Sequence, residues 1–329
     1  MGTLGTSLRV VAALGLVLGA APAHSADLRD RSLVGGKTAI ELNGKQAGWV
    51  FNALGGTATA EVVVEPTGAD HVTHKHVANV KYDDIAVNCG TGMSREFFAV
   101  VKSGVEGTSP RVNGAIVVAD ADYKESSRIT FANALVSEVA FPVLDASSKE
   151  AARMLVTFSP QYTRLVAGSG QRATQNGTFG TQKKWLASNF KLSIDGLDAS
   201  RVVKIEPLVA KTISVTNATG NQRDPLREAT KIQYSNLVFY VPESAAKPFL
   251  DWYDAFVIRG LNAQANEKNG RLELLAPDLR SILFTLDFSG LGIISVAPEP
   301  PAPGESVRRT RVEMYLETMK LTADPAASQ

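Results

Sequence analysis

Lys81-Tyr82-Asp83-Asp84-Ile85-Ala86-Val87 returns later in the chain as Ile232-Gln233-Tyr234-Ser235-Asn236-Leu237-Val238. Each copy is a tyrosine, two turn-tolerant polar residues and a short apolar strand. The segments downstream of each copy recur too. Residues 93–104 (MSREFFAVVKSG) align with 246–260 (AKPFLDWYDAFVIRG), an amphipathic segment ending in glycine. Arg111-Val112-Asn113-Gly114 then aligns with Glu267-Lys268-Asn269-Gly270, and each Asn-Gly precedes an apolar strand. The offset stays at about 155 residues, far longer than a solenoid period, so the spacing predicts two copies of one domain.

The chain has 329 residues, 44 % of them hydrophobic and 20 % charged, enough for a core in each half. A net charge of +1 gives no electrostatic case for nucleic acid or an anionic membrane as partner. Arg9 is followed by an uncharged apolar run over residues 10–23, with Ala23 and Ser25 at the −3 and −1 positions of one cut. The run falls short of the roughly 20 residues of a membrane span and reads as a secretory signal peptide, residues 1–26. The expected location is periplasmic or secreted, with no membrane contact after cleavage. Cys89 is the only cysteine, so no internal disulfide can form, and it is expected to be partly buried and inert.

Outward from the repeated strand, Asn43-Gly44 and Asp195-Gly196 are matching hairpin turns. Each half then has a polar excursion, residues 66–78 and 211–230, expected to be a long loop or extended hairpin. One helix per half comes next, with Phe97, Val100 and Val101, and Phe249, Trp252, Tyr253, Phe256 and Val257, at spacings of three and four. Gly104 and Gly260 suit the helix ends, and Asn-Gly at 113 and 269 reads as two further hairpin turns. The remaining segments alternate or run apolar as strands. The expected organisation is a first β-barrel domain at 27–166, a flexible linker at 167–184, a second at 185–322, and a disordered tail at 323–329.

This order of parts resembles the phage tail tube protein family, which includes contractile-phage tube proteins and, more distantly, the type VI secretion tube protein. Members often carry a Lys-Tyr-Gly-Asn-Ile-like strand after the long loop. Residues 81–85 and 234–237 occupy that place, with Asp83 or Ser235 at the glycine. The resemblance implies a mainly β (α+β) fold: two tandem tail-tube-like barrels, each with one flanking helix. It implies subunits joined edge to edge into a six-domain ring, rings stacked into a tube, and long loops at the ring-to-ring contacts. A duplicated chain then needs three copies, so the expected partner is the chain itself, as a trimer or stacked rings. No enzyme activity, catalytic residue or organic cofactor is expected. The residues expected to carry assembly are Tyr82, Ile85, Val87, Tyr234, Leu237 and Val238. Tail tubes carry no export signal, so the signal read here points to an exported relative.

Two chemical readings stand beside this one. His71, His74 and His76 cluster in the first polar excursion, and His74 and His76 share one side of an extended strand. They could hold a divalent metal with a further ligand such as Asp70, or be a solvated loop. A periplasmic or secreted binding module built on that loop is the alternative function. Asp120 and Asp122 could form an acid pair or calcium corner, but a turn explains them. Trp252, Tyr253 and Phe256 read as core, or as an edge buried by a neighbour.

Overall fold

The computed structural model describes residues 36–65, 71–108, 110–173, 184–217, 224, 226–300 and 307–323. The signal segment, residues 1–26, lies outside them, as does most of the segment read as a linker.

The first half contains β1 (Lys37–Leu42), β2 (Lys45–Val50), β3 (Asn52–Gly55), β4 (Ala58–Val64), β5 (Lys75–Tyr82), β6 (Ile85–Cys89), helix α1 (Arg95–Val105), β7 (Val112–Ala119), β8 (Glu125–Phe141), β9 (Leu144–Asp145), β10 (Met154–Ser159) and β11 (Tyr162–Ala167). The second contains β12 (Phe190–Ile194), β13 (Lys204–Ile205), β14 (Leu208–Asn217), β15 (Leu226–Tyr234), β16 (Leu237–Pro242), helix α2 (Lys247–Tyr253), β17 (Lys268–Leu275), β18 (Ile282–Glu299), β19 (Arg309–Tyr315) and β20 (Thr318–Ala323). A π-helical turn, Asp254–Ile258, prolongs α2.

The strand order β1-β7-β8-β10-β6-β3 of the first half recurs as β12-β17-β18-β19-β16-β13 in the second. β11 lies on β8 as β20 lies on β18, and the hairpin β4–β5 matches β14–β15. The registers agree as well: Val156 pairs with both Val87 and Val139, as Val312 pairs with both Phe239 and Val296. Among the described residues β2 and β9 have no counterpart strand; the bridge Ile194–Leu197 stands in the place of β2.

β8 and β18 are the spines. The first part of each pairs with β7 or β17 and the last part with β10 or β19. Each changes direction at one left-handed residue, Asn133 (φ 55°) or Gly290 (φ 66°). Asn and Gly tolerate that conformation, and the bend curls the sheet towards a barrel.

The repeated tyrosine motif folds as its composition requires. Tyr82 ends β5, Asp83 and Asp84 turn, and β6 starts at Ile85; Tyr234, Ser235 and Asn236 do the same before β16. Asn43 (φ 49°) and Gly44 (φ 78°) make the expected β1–β2 turn.

Two expectations need correction. Asn113-Gly114 and Asn269-Gly270 are not turns: they lie within β7 and β17, at irregularities in register. A side chain at Gly114 would overlap the Glu41 carbonyl and the Phe131 ring, so glycine is there for close strand approach. Gly104 is not a cap. It lies inside α1 against β8, where a Cβ would stand 2.5 Å from Val136 Cγ1, and Gly107 (φ 76°) comes after the helix instead.

The halves share one hydrophobic core, running from Ile40, Phe97 and Phe158 through Trp185 and Phe284 to Phe239 and Leu321. Residues 167–173, read as the start of a linker, are fastened to β8: Gly168 and Gly170 donate to Ser126 and Glu125, and Arg172 bridges to Lys124.

Candidate assembly surface

A strand edge in a sheet presents unpaired N–H and C=O groups that must find water or another strand. The last residues of β8 meet this need with the other half of the chain. Glu138, Val139, Ala140 and Phe141 pair with Lys211, Ala210, Val209 and Leu208 of β14. β9 pairs with β13 just beyond. The second half therefore adds strands to the first half's sheet.

The hairpin β14–β15 continues across the first half and is fixed by polar contacts. Tyr82 donates its hydroxyl to Asp224 Oδ1 at 2.7 Å. Burial, then that hydrogen bond, pushes the Tyr82 pKa up. Arg227 donates to Asp84 Oδ1 at 2.6 Å and to Ser159 Oγ at 3.0 Å. Gln161 donates to the Asp224 carbonyl at 3.0 Å, and Arg111 to the Arg227 carbonyl. A cleft of about 310 Å³ runs along this seam, lined by Asp84, Glu138, Ser159, Lys211 and Arg227. The described part of the second polar excursion, expected at a contact between rings, makes these contacts within the chain.

The same junction covers α1. Ser94 caps the helix, its side chain accepting from the Phe97 amide. Phe97 is fully buried, while Phe98 meets Phe284 of the second half, ring centroids 5.3 Å apart. Tyr234 donates to the Val105 carbonyl at 2.9 Å, and β14 and β20 pack on the helix. Phe98 is 4 % exposed and Val105 0 %. Their counterparts on α2 and its π turn, Leu250 and Val257, are 46 % and 40 % exposed. Phe97 and its counterpart Phe249 are both fully buried. The inward faces of the two helices match, and the outward faces differ in whether another half covers them.

The strand edges show the same asymmetry. β4 is the counterpart of β14, since Ala58 pairs with Tyr82 as Ala210 pairs with Tyr234. Among the described residues β4 pairs only with β5, and the whole strand is exposed, including Val62, Val63 and Val64. The end of β18, Ser295 to Glu299, corresponds to the end of β8; among the described residues it pairs only with β19.

The residues expected to carry assembly do not lie on these two edges. β6 and β16 each have strands on both sides. Ile85, Val87, Leu237 and Val238 are buried, and Tyr82 and Tyr234 point into the junction between halves. The sequence signal that marks the open edge is the run Ala60-Glu61-Val62-Val63-Val64 beside a polar hairpin. An apolar run alone does not distinguish a core strand from an uncovered one.

Of the polar excursion 66–78, residues 66–70 lie outside the described residues and residues 75–78 belong to β5, with Val64 opposite Lys75. His71 (φ 58°) and His74 precede β5, and His76 lies on it with Nδ1 3.4 Å from Glu65. Among the described residues no three His, Cys, Asp or Glu side chains gather to hold a metal ion; Asp70 lies outside them. Asp120 Oδ1 accepts from the Asp122 and Lys124 amides, a turn. Cys89 is buried, and burial pushes its thiol up to about 12, where it is no nucleophile. Trp252 and Phe256 are core residues, as expected.

No protein-family model matches this chain, and no curated protein does. Solved structures do. The baseplate of an anti-feeding prophage contains a chain 16 % identical, matched over 41 % of this chain and 91 % of that one, with a TM-score of 0.34. The sheath–tube complex of an extracellular contractile injection system contains one 14 % identical, over 41 % and 89 %, with a TM-score of 0.31. An Hcp protein is 11 % identical over 57 % and 99 %, with a TM-score of 0.22. These are partial likenesses at low identity; the strand order and registers of the two halves stand independently of them.

Proposed function

We propose that this chain is an exported, non-enzymatic structural protein built from two copies of one tail-tube-like domain. It self-assembles through sheet edges into a ring, three chains supplying six domains. The observation that carries this reading is the β8–β14 junction. One half completes the other's sheet edge there, while among the described residues the corresponding edges, β4 and the end of β18, pair only with β5 and β19. A surface and its complement, both uncovered and not the same patch, make a head-to-tail contact, which closes into a ring or grows as a filament. Export rests on the apolar run at residues 10–23 behind Arg9.

The test is the solution mass of the mature chain, from about residue 27, by light scattering with negative-stain images. Trimers, rings or short tubes support the proposal. A monomer at high concentration refutes self-assembly as a property of the chain.

A further inference from the structure

We infer that β4 of one copy adds to the end of β18 in the next copy, in the register that β14 and β8 already use within the chain. This rests on the self-association reading above and names its joint. The register comes from substitution of counterparts. Lys211, Ala210 and Val209 face Glu138, Val139 and Ala140. Their counterparts are Thr59, Ala58 and Thr57 on one side and Ser295, Val296 and Ala297 on the other. In the joint, Thr59 therefore faces Ser295, Ala58 faces Val296, and Thr57 faces Ala297.

Two further observations choose a second copy of this chain as the occupant. The outward face of α2, with Leu250 and Val257, is uncovered where α1 is covered by a neighbouring half. The exposed hairpin carries its own apolar residues, Val62, Val63 and Val77, as a complement.

The joint is not chemically identical to the internal junction. Arg227 and Asp84 form an ion pair at 2.6 Å; their counterparts are Lys75 and Asn236. The outer joint lacks that ion pair and rests on main-chain pairing and apolar burial. It is the weaker and more reversible of the two.

Two single variants of the mature chain, Thr59→Cys and Ser295→Cys, test the register under mild oxidation. Cys89 is buried and does not compete. Neither variant alone gives a covalent dimer, and their mixture does, on a non-reducing denaturing gel. Unchanged melting curves confirm that both are folded. Covalent dimers from Thr59→Cys alone indicate a symmetric pairing of two β4 edges and overturn the inference. An unmodified chain that oligomerises, with no cross-link in the mixture, overturns this register and leaves self-association standing. A chain that is monomeric by light scattering overturns both.

Discussion

Truncating the same helix position in each half separates the covered face from the open one. Phe98→Ala removes a ring that is almost fully buried and lies edge-on to Phe97 and Phe284 at 5.8 and 5.3 Å. Loss of transfer energy and the cavity left behind cost about 3–5 kcal/mol for a buried phenylalanine. The lost ring pairs contribute about 0.5–1.5 kcal/mol towards the upper end. Leu250→Ala, at the counterpart position, removes a side chain that is nearly half in water already and leaves no closed cavity. Its share of transfer energy is about 1 kcal/mol, reduced slightly by alanine's better helix propensity. Thermal melts at a dilution where light scattering reports monomer should then lower Tm by about 10 °C for Phe98→Ala and about 2 °C for Leu250→Ala. Equal losses would refute the reasoning: the outward face of α2 would then be as covered as that of α1. At concentrations that favour assembly, Leu250→Ala should shift the mass distribution towards monomer.

Three other outcomes are expected. Arg128 binds Glu125 at 2.6 Å and Glu41 at 3.0 Å, and its hydrogen bond, above all, holds the Glu125 carboxyl below its usual range. Arg128→Met strands two carboxylates and should cost about 3 kcal/mol in urea denaturation at neutral pH. Because a lowered carboxylate pKa contributes stability that is lost as pH falls through it, the gap between variant and parent should narrow in acid. Gly104→Ala gains about 1 kcal/mol of helix propensity but forces a methyl against Val136; overpacking of about 1–3 kcal/mol wins, and denaturation should show a net loss. Tyr315 donates to Glu267 Oε1 at 2.6 Å, and burial, then that carboxylate, pushes its pKa up to about 12. The neutral phenol is favoured in the folded state. Its stabilisation is present below the ordinary tyrosine pKa of about 10 and is lost as pH rises through about 12. Tyrosinate absorbance should lose its last ionising step in Tyr315→Phe.

Local periodicity made most of the strands and both helices legible in the sequence. Phe97 and Phe249 at the head of an i, i+3, i+4 pattern can only be an inward helix face. The repeated tyrosine motif placed a hairpin end and a strand start in each half, because Asp83-Asp84 and Ser235-Asn236 turn readily. Asn-Gly was ambiguous. At 43–44 it turns, and at 113–114 it sits in a strand opposite Phe131; only the packing partner distinguishes the two. What the sequence did not carry was the association of the halves. β8 meets β14 across a long separation in the chain, through backbone groups that every residue has. Ile85 and Leu237, apolar and repeated, are buried on strands that have neighbours on both sides. Among the described residues β4 and the end of β18 have a strand on one side only, and at β4 exposure rather than residue type marks the edge.

The β8–β14 junction has one more consequence. It is a contact that no dilution can undo, because the chain itself joins its two sides. Any closed assembly of this protein therefore contains an even number of halves, with joints that alternate between a permanent kind and a made kind. A ring of five halves is barred by parity. Breakage and growth are confined to every second joint, so whole chains, never single halves, are the unit that enters or leaves.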